Sequence, residues 1–376
     1  MSNQDSYLIQ NKLESAERRL KKCNTLEEKI AMINYILGIS ETYSKHLSSV
    51  SMSDLYLYSM VLHENKEKYI NNFVSNNDKH FDYFSNVTKA MENDFTLLFN
   101  YAIHNHYNGF YENSFSKDDV LYLLESFFKE YELDSFFHDL YKNHNIHFVS
   151  SDVLTDSHLG FALYNPVRKN TELFMKSYPK TTFDMAVMVH ELGHAFDFNQ
   201  FAGNHEKWLD FSTLTSHTEV ISTLFERLWN RYLLKNGVAS RDVSTQYINF
   251  LYKNYVLLLC SNALGLINYD SMKEGQIDEK ITDEFLKAYR NKYFCSQAKE
   301  LLKEVNFLEI HKYAYGNIIS LLMCDDVEKN GFSSKLLKQY FENRVTPCSQ
   351  DLLQNMNFSS EQCIKTYKKE LKLVQK

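Results

Sequence analysis

From residue 7 to about 145, apolar residues return every three or four positions with charges between them. The segments LIQNKLESAERRLKK, TLEEKIAMINYILGISETY and VLYLLESFFKEYELDSFFHDLYK all follow this pattern. That spacing lays one apolar stripe along a helix, so it predicts a succession of amphipathic helices. Asn-rich breaks such as NNFVSNND separate them. At residue 146 the period changes. IHFVS, HLGFALYN and TELFMKSY are short runs rich in β-branched and aromatic residues, parted by polar breaks around Asp152 and by NPVRKN. They predict a small antiparallel β-sheet. Helical spacing then resumes in TTFDMAVMVHELGHAFDF and in STLTSHTEVISTLFERLWNRYLLKNG, the second ending at a natural Asn236-Gly237 stop. The expected fold is mainly α, with two helical lobes around a cleft and a small antiparallel sheet next to the helix of TTFDMAVMVHELGHAFDF. A helical N-terminal lobe would cover 1–145, and a second region 146–376.

Composition sharpens this picture in a few places. Among 376 residues there are only 10 Gly and 3 Pro, which argues against a turn-rich, all-β architecture. The 26 Tyr and 27 Phe serve core packing first, and supply hydroxyl donors on rigid rings for any cleft. A net charge of −7, with no strong basic cluster, excludes a nucleic-acid partner. The longest apolar stretch, YVLLLCSNALGLINY, is too short and too broken by Ser and Asn to span a membrane. The N-terminus MSNQDSYLIQNKLESAERR lacks the apolar core of a secretion signal, and six cysteines show neither a CxxC pair nor framework spacing. A cytoplasmic chain with reduced thiols is expected. Nothing in the composition sets an oligomeric state.

The chemistry is concentrated at His190-Glu191-Leu192-Gly193-His194. Two histidines four apart on a helix project from one face, so both imidazoles can reach one ion. Glu191, next to the first, then stands beside an open metal position, where it can take a proton from water. Pro179 precedes a capping box of Thr181 with Asp184, and the apolar run MAVMV carries the helix into the motif. A hydrolytic zinc needs a third protein ligand, and Asp197, Glu206, Asp210, Glu219 and Glu226 all follow. A metzincin would need Gly at 197 and His at 200, where this chain has Asp197 and Gln200. On the next helix Glu219, Ser222 and Glu226 recur at three and four residues, while Leu224, Leu228 and Tyr232 share another stripe. That pattern suits a helix crossing the motif helix with its polar stripe turned inward.

HELGHAFD, followed 25 residues after its second histidine by EVISTLFERLW, resembles the thimet oligopeptidase and oligoendopeptidase F family of zinc peptidases. Glu219, Ser222 and Glu226 stand where that family has E-x-x-S-x-x-x-E. The resemblance implies one Zn²⁺ per chain on His190, His194 and Glu219, with Glu191 as general base. HKYAYGNIISLLM, residues 311 to 323, is similar to the family's zinc-facing tyrosine segment. It implies Tyr313 as the oxyanion donor, with His311 and Tyr315 behind it; Gly316 leaves room for a local loop there. The chain departs from the family at Asp197 and at His311, where members carry a histidine and a tyrosine. The implied activity is a zinc-dependent endopeptidase acting on short, unstructured peptides. Two other readings share these residues: a maturation protease dedicated to one leader or signalling peptide, and a zinc-retaining peptide-binding protein with little turnover. Intact Glu191 argues against the last, since binding alone needs no base.

Overall fold

The computed structural model describes residues 3–43, 50–75, 77–106, 114–148, 159–201, 217–264, 283–284, 286–304, 307–344 and 349–374. Helices α1 (Asn3–Leu20), α2 (Leu26–Tyr43), α3 (Met52–Ser75), α4 (Asn77–His106), α5 (Lys117–Glu130) and α6 (Asp134–Lys142) come first. Strands β1 (Ile146–Phe148), β2 (Gly160–Asn165) and β3 (Asn170–Met175) follow. The order closes with α7 (Thr182–Phe201), α8 (Thr218–Lys235), α9 (Ser240–Leu264), α10 (Lys292–Glu304), α11 (Phe307–Asn330), α12 (Lys335–Asn343), α13 (Ser349–Asn355) and α14 (Ser360–Val374). The fold is mainly α with one small sheet, as the periodicity predicts.

The sheet has the order β1-β3-β2 and is mixed rather than antiparallel. A tight turn joins β2 to β3, and those two pair antiparallel, Gly160 opposite Met175 and Asn165 opposite Asn170. β1 instead lies on the far side of β3 and runs parallel to it, Ile146 opposite Leu173. A parallel pair needs a connection of a dozen or more residues, and the stretch from 149 to 169 supplies it.

The chain divides into two compact units, each built from two separate stretches. The first takes Met1–Glu67 and Ser114–Leu214. Its core gathers Ile9, Ala16 and Leu20 of α1, Met32, Ile33, Ile36 and Ile39 of α2, and Phe174 of β3. β2 and β3 also pack on α7, which seats the sheet beside the motif helix. Residues 145 and 146 both lie inside this unit. The change of period there marks a switch from helix to strand, and α1 and α2 close over the strands that follow. A buried polar knot ties the same layers together: Lys12 Nζ lies 2.6 Å from Glu172 Oε1, and Tyr35 donates to Glu172 Oε2 at 2.7 Å. Asn165 adds a bond of 2.9 Å to Oε1. Burial pushes the Glu172 carboxyl up, but the Lys12 charge and these bonds outweigh it and hold it below its ordinary value.

The second unit takes Lys68–Asn113 and Thr215–Lys376. α8 and α11 pack along each other, and α9 packs on α4, α10 and α11. From Glu219 to Leu233, α8 is buried at every position except Glu226. Its buried cations are compensated within the unit. Arg231 donates to Glu370 Oε1 of α14 at 2.8 Å, and Arg227 Nη1 lies 3.6 Å from the same oxygen. α8 ends at Asn236, and Gly237 takes the left-handed turn (φ +67°) predicted for that stop.

Candidate metal centre

The capping box expected at the start of α7 is present. The Asp184 amide donates to Thr181 Oγ1 at 3.1 Å, and the Thr181 amide donates to Asp184 Oδ2 at 3.0 Å. Met185, Ala186, Met188, Val189 and Leu192 are buried and fix the helix's rotation. That rotation leaves His190 and His194 half-buried one turn apart, their ring centroids 4.9 Å from each other at 81°. The His194 ring stacks on Phe198 at 5.9 Å. Glu191 is buried, and the start of β2 comes close to it. A Cβ placed on Gly160 would stand 3.2 Å from Glu191 Cγ and 2.7 Å from Met175 Sδ. Gly160 therefore keeps the space beside Glu191 open.

Glu219 lies in the first turn of α8 and is 2 % exposed. Ser222 Oγ donates to its Oε2 at 3.2 Å, and Lys312 Nζ of α11 lies 3.2 Å from its Oε1. The ligand atoms offered by His190, His194 and Glu219 all lie within 4.8 Å of one another. A tetrahedral zinc spaces its nitrogen and oxygen ligands by about 3.4 Å, so small rotamer adjustments bring these three into range. Two imidazoles and one carboxylate are also a donor set that zinc favours, with a fourth position left for water. The residues present therefore fit a zinc ion. Of the other acidic candidates, Asp197 is buried in α7 and Glu226 is half-buried on α8; neither belongs to this cluster. Glu206 and Asp210 lie outside the described residues.

On α11 the three residues singled out by the sequence part company. His311 is fully buried, its Nδ1 2.9 Å from Ser261 Oγ of α9. Tyr315, also fully buried, meets Phe84 edge to face at 5.0 Å. Four residues apart, they share a face. Tyr313 lies on the other side of the helix and is 37 % exposed. α11 stays helical through Gly316, so the local loop for which that glycine leaves room does not form. Its glycine serves a close approach instead: a Cβ at 316 would stand 2.7 Å from Glu219 Cβ and 2.8 Å from its carbonyl carbon. Sequence reasoning missed Lys312 and Gly160, and saw in Gly316 room for a loop rather than a close approach. Only Gly316 left a signal, as a residue that weakens a helix and so marks close packing.

No protein-family model matches the chain, and no curated protein matches it in sequence. Among solved structures it is similar to a protein described as an oligoendopeptidase F from Bacillus anthracis str. Ames. The TM-score is 0.51 at 15 % identity, over 93 % of this chain and 67 % of that one. It is also similar to PZ peptidase A with inhibitor 2, with a TM-score of 0.48 at 13 % identity, over 93 % of this chain and 76 % of that one. The chain has an oligoendopeptidase F-like fold.

Proposed function

We propose that this chain is a zinc-dependent endopeptidase that hydrolyses short, unstructured peptides. The observation that carries the reading is the convergence of His190, His194 and Glu219 within 4.8 Å, with Glu191 adjoining the first ligand. His190, His194 and Glu219 would hold the zinc ion, which would supply positive charge to lower the pKa of a nearby water and to polarise a carbonyl oxygen. Glu191 accepts the proton as water attacks the scissile carbonyl carbon, and then delivers it to the leaving amine. Tyr313, exposed on α11, donates its phenolic hydrogen to the developing oxyanion without changing its own charge. His311 has a supporting part: its ring is buried against Ser261, on the face of α11 turned away from Tyr313. No described helix is long and apolar enough to cross a membrane. Cys23, Cys260, Cys295, Cys324 and Cys363 are free and buried, which suits the reducing cytoplasm.

Metal analysis tests the reading. The purified protein is expected to carry about one zinc per chain, as one three-ligand site requires. Glu219→Ala is expected to lose most of it, since two protein ligands remain. Full retention of zinc by Glu219→Ala would remove Glu219 from the site.

A further inference from the structure

We infer that Lys312 is an internal competitor for the metal. Its ammonium compensates the Glu219 carboxylate, and a metal ion must displace it from that carboxylate to bind. The inference rests on Glu219 being a ligand, and it adds a residue that no part of the hydrolytic reading requires. Three contacts define the device. Lys312 Nζ lies 3.2 Å from Glu219 Oε1, with the Glu219 side chain 3 % exposed and that of Lys312 22 % exposed. Ser222 Oγ holds the second oxygen at 3.2 Å. Gly316, one helical turn beyond Lys312 on the same face of α11, lets the helix sit directly against Glu219 Cβ and its backbone.

The physical reason is charge compensation. A buried carboxylate needs a positive partner, and an ammonium and a divalent ion are two alternative partners for one carboxylate. Were the ammonium to stay while the metal binds, two like charges would crowd one buried group. The sign is therefore competition rather than support. Lysine suits the part because its flexible stem lets the charged head leave for water while the stem stays packed. The Lys312 ammonium already lies 5.2 Å from the centroid of the Tyr313 ring, which offers a second, weaker place for the cation.

Two measurements on Lys312→Met and Lys312→Gln test this: zinc affinity by chelator competition, and thermal stability of the zinc-stripped chain. Both variants should bind zinc at least ~10-fold more tightly than the native chain, because no ammonium has to be displaced. Both should also melt at a lower temperature when stripped, because Glu219 has lost its cation. Lys312→Arg, which keeps the charge, should stay within about threefold of native affinity, as should Lys303→Met, which removes an exposed lysine elsewhere. A lysine with a purely structural part would lower stripped stability and leave zinc affinity alone. Equal or weaker zinc binding by both neutral variants overturns the inference, as does an unchanged melting temperature of the stripped forms. If the native chain itself binds no zinc, the metal-site reading fails instead, whatever Lys312 does.

Discussion

Glu191 and Glu219 are both buried carboxylates, yet their surroundings differ in kind. Glu191 is bordered by Gly160 at the start of a strand, where an added Cβ would meet only side-chain atoms, those of Glu191 and Met175. Those neighbours can yield by a few tenths of an ångström. Glu219 is pressed at its own Cβ and backbone by Gly316, with Lys312 and Ser222 on its carboxylate oxygens. Backbone does not yield so cheaply. The difference matches the two tasks proposed for them. A base that moves a proton from water to an amine tolerates a little play, whereas a metal ligand must be held in place.

The largest effect should come from removing the base alone. Glu191→Gln keeps the shape of the side chain but cannot accept a proton, so turnover should fall ~10²–10⁴-fold with zinc content unchanged. Steady-state kinetics beside metal analysis checks this; undiminished turnover would take Glu191 out of the chemistry. Next in size is Tyr313→Phe, which should lower kcat by ~10²–10³-fold with KM little altered, as for loss of one oxyanion donor. Tyr315→Phe should instead change turnover far less, its ring being fully buried against Phe84. A crippled Tyr315→Phe beside a healthy Tyr313→Phe would move the assignment by two residues.

The two glycines set the comparison most directly. Gly316→Ala forces α8 and α11 apart at Glu219. Overpacking of this kind costs ~1–3 kcal/mol, and the better helix propensity of alanine returns at most about 1. Urea titration should show the net loss, and zinc affinity should fall with it. Gly160→Ala meets only flexible side-chain atoms. It should leave stability within about 1 kcal/mol of native and lower kcat less than tenfold, with zinc retained. If Gly160→Ala proved the more damaging to metal binding, the contrast between a yielding base and a fixed ligand would be wrong.

These contrasts also explain what could be read from the chain alone. α7 was readable because everything it needs is local. Thr181 caps it, MAVMV buries one side, and the spacing of His190 and His194 sets their common face. The three strands were likewise readable from their composition. Their arrangement was not, because the parallel pairing of β1 with β3 depends on where a connection of some twenty residues returns. Nor was the grouping into two units, since α1 and α2 reach Phe174 only in space. At the site, Glu219 stood out by its spacing with Ser222 and by the family resemblance. Lys312 looked like any helix-surface lysine. Its pairing with Glu219 spans 93 residues of sequence, and no local pattern records it.

Digestion of a mixed peptide library, read out by mass spectrometry, tests zinc-dependent peptide hydrolysis most directly. The zinc-loaded chain should generate many products from short peptides, the stripped chain none, and restored zinc should return the same products. A single cleaved sequence class would narrow the activity to one dedicated peptide while keeping its chemistry. Products that persist at full rate after complete removal of zinc would contradict the account.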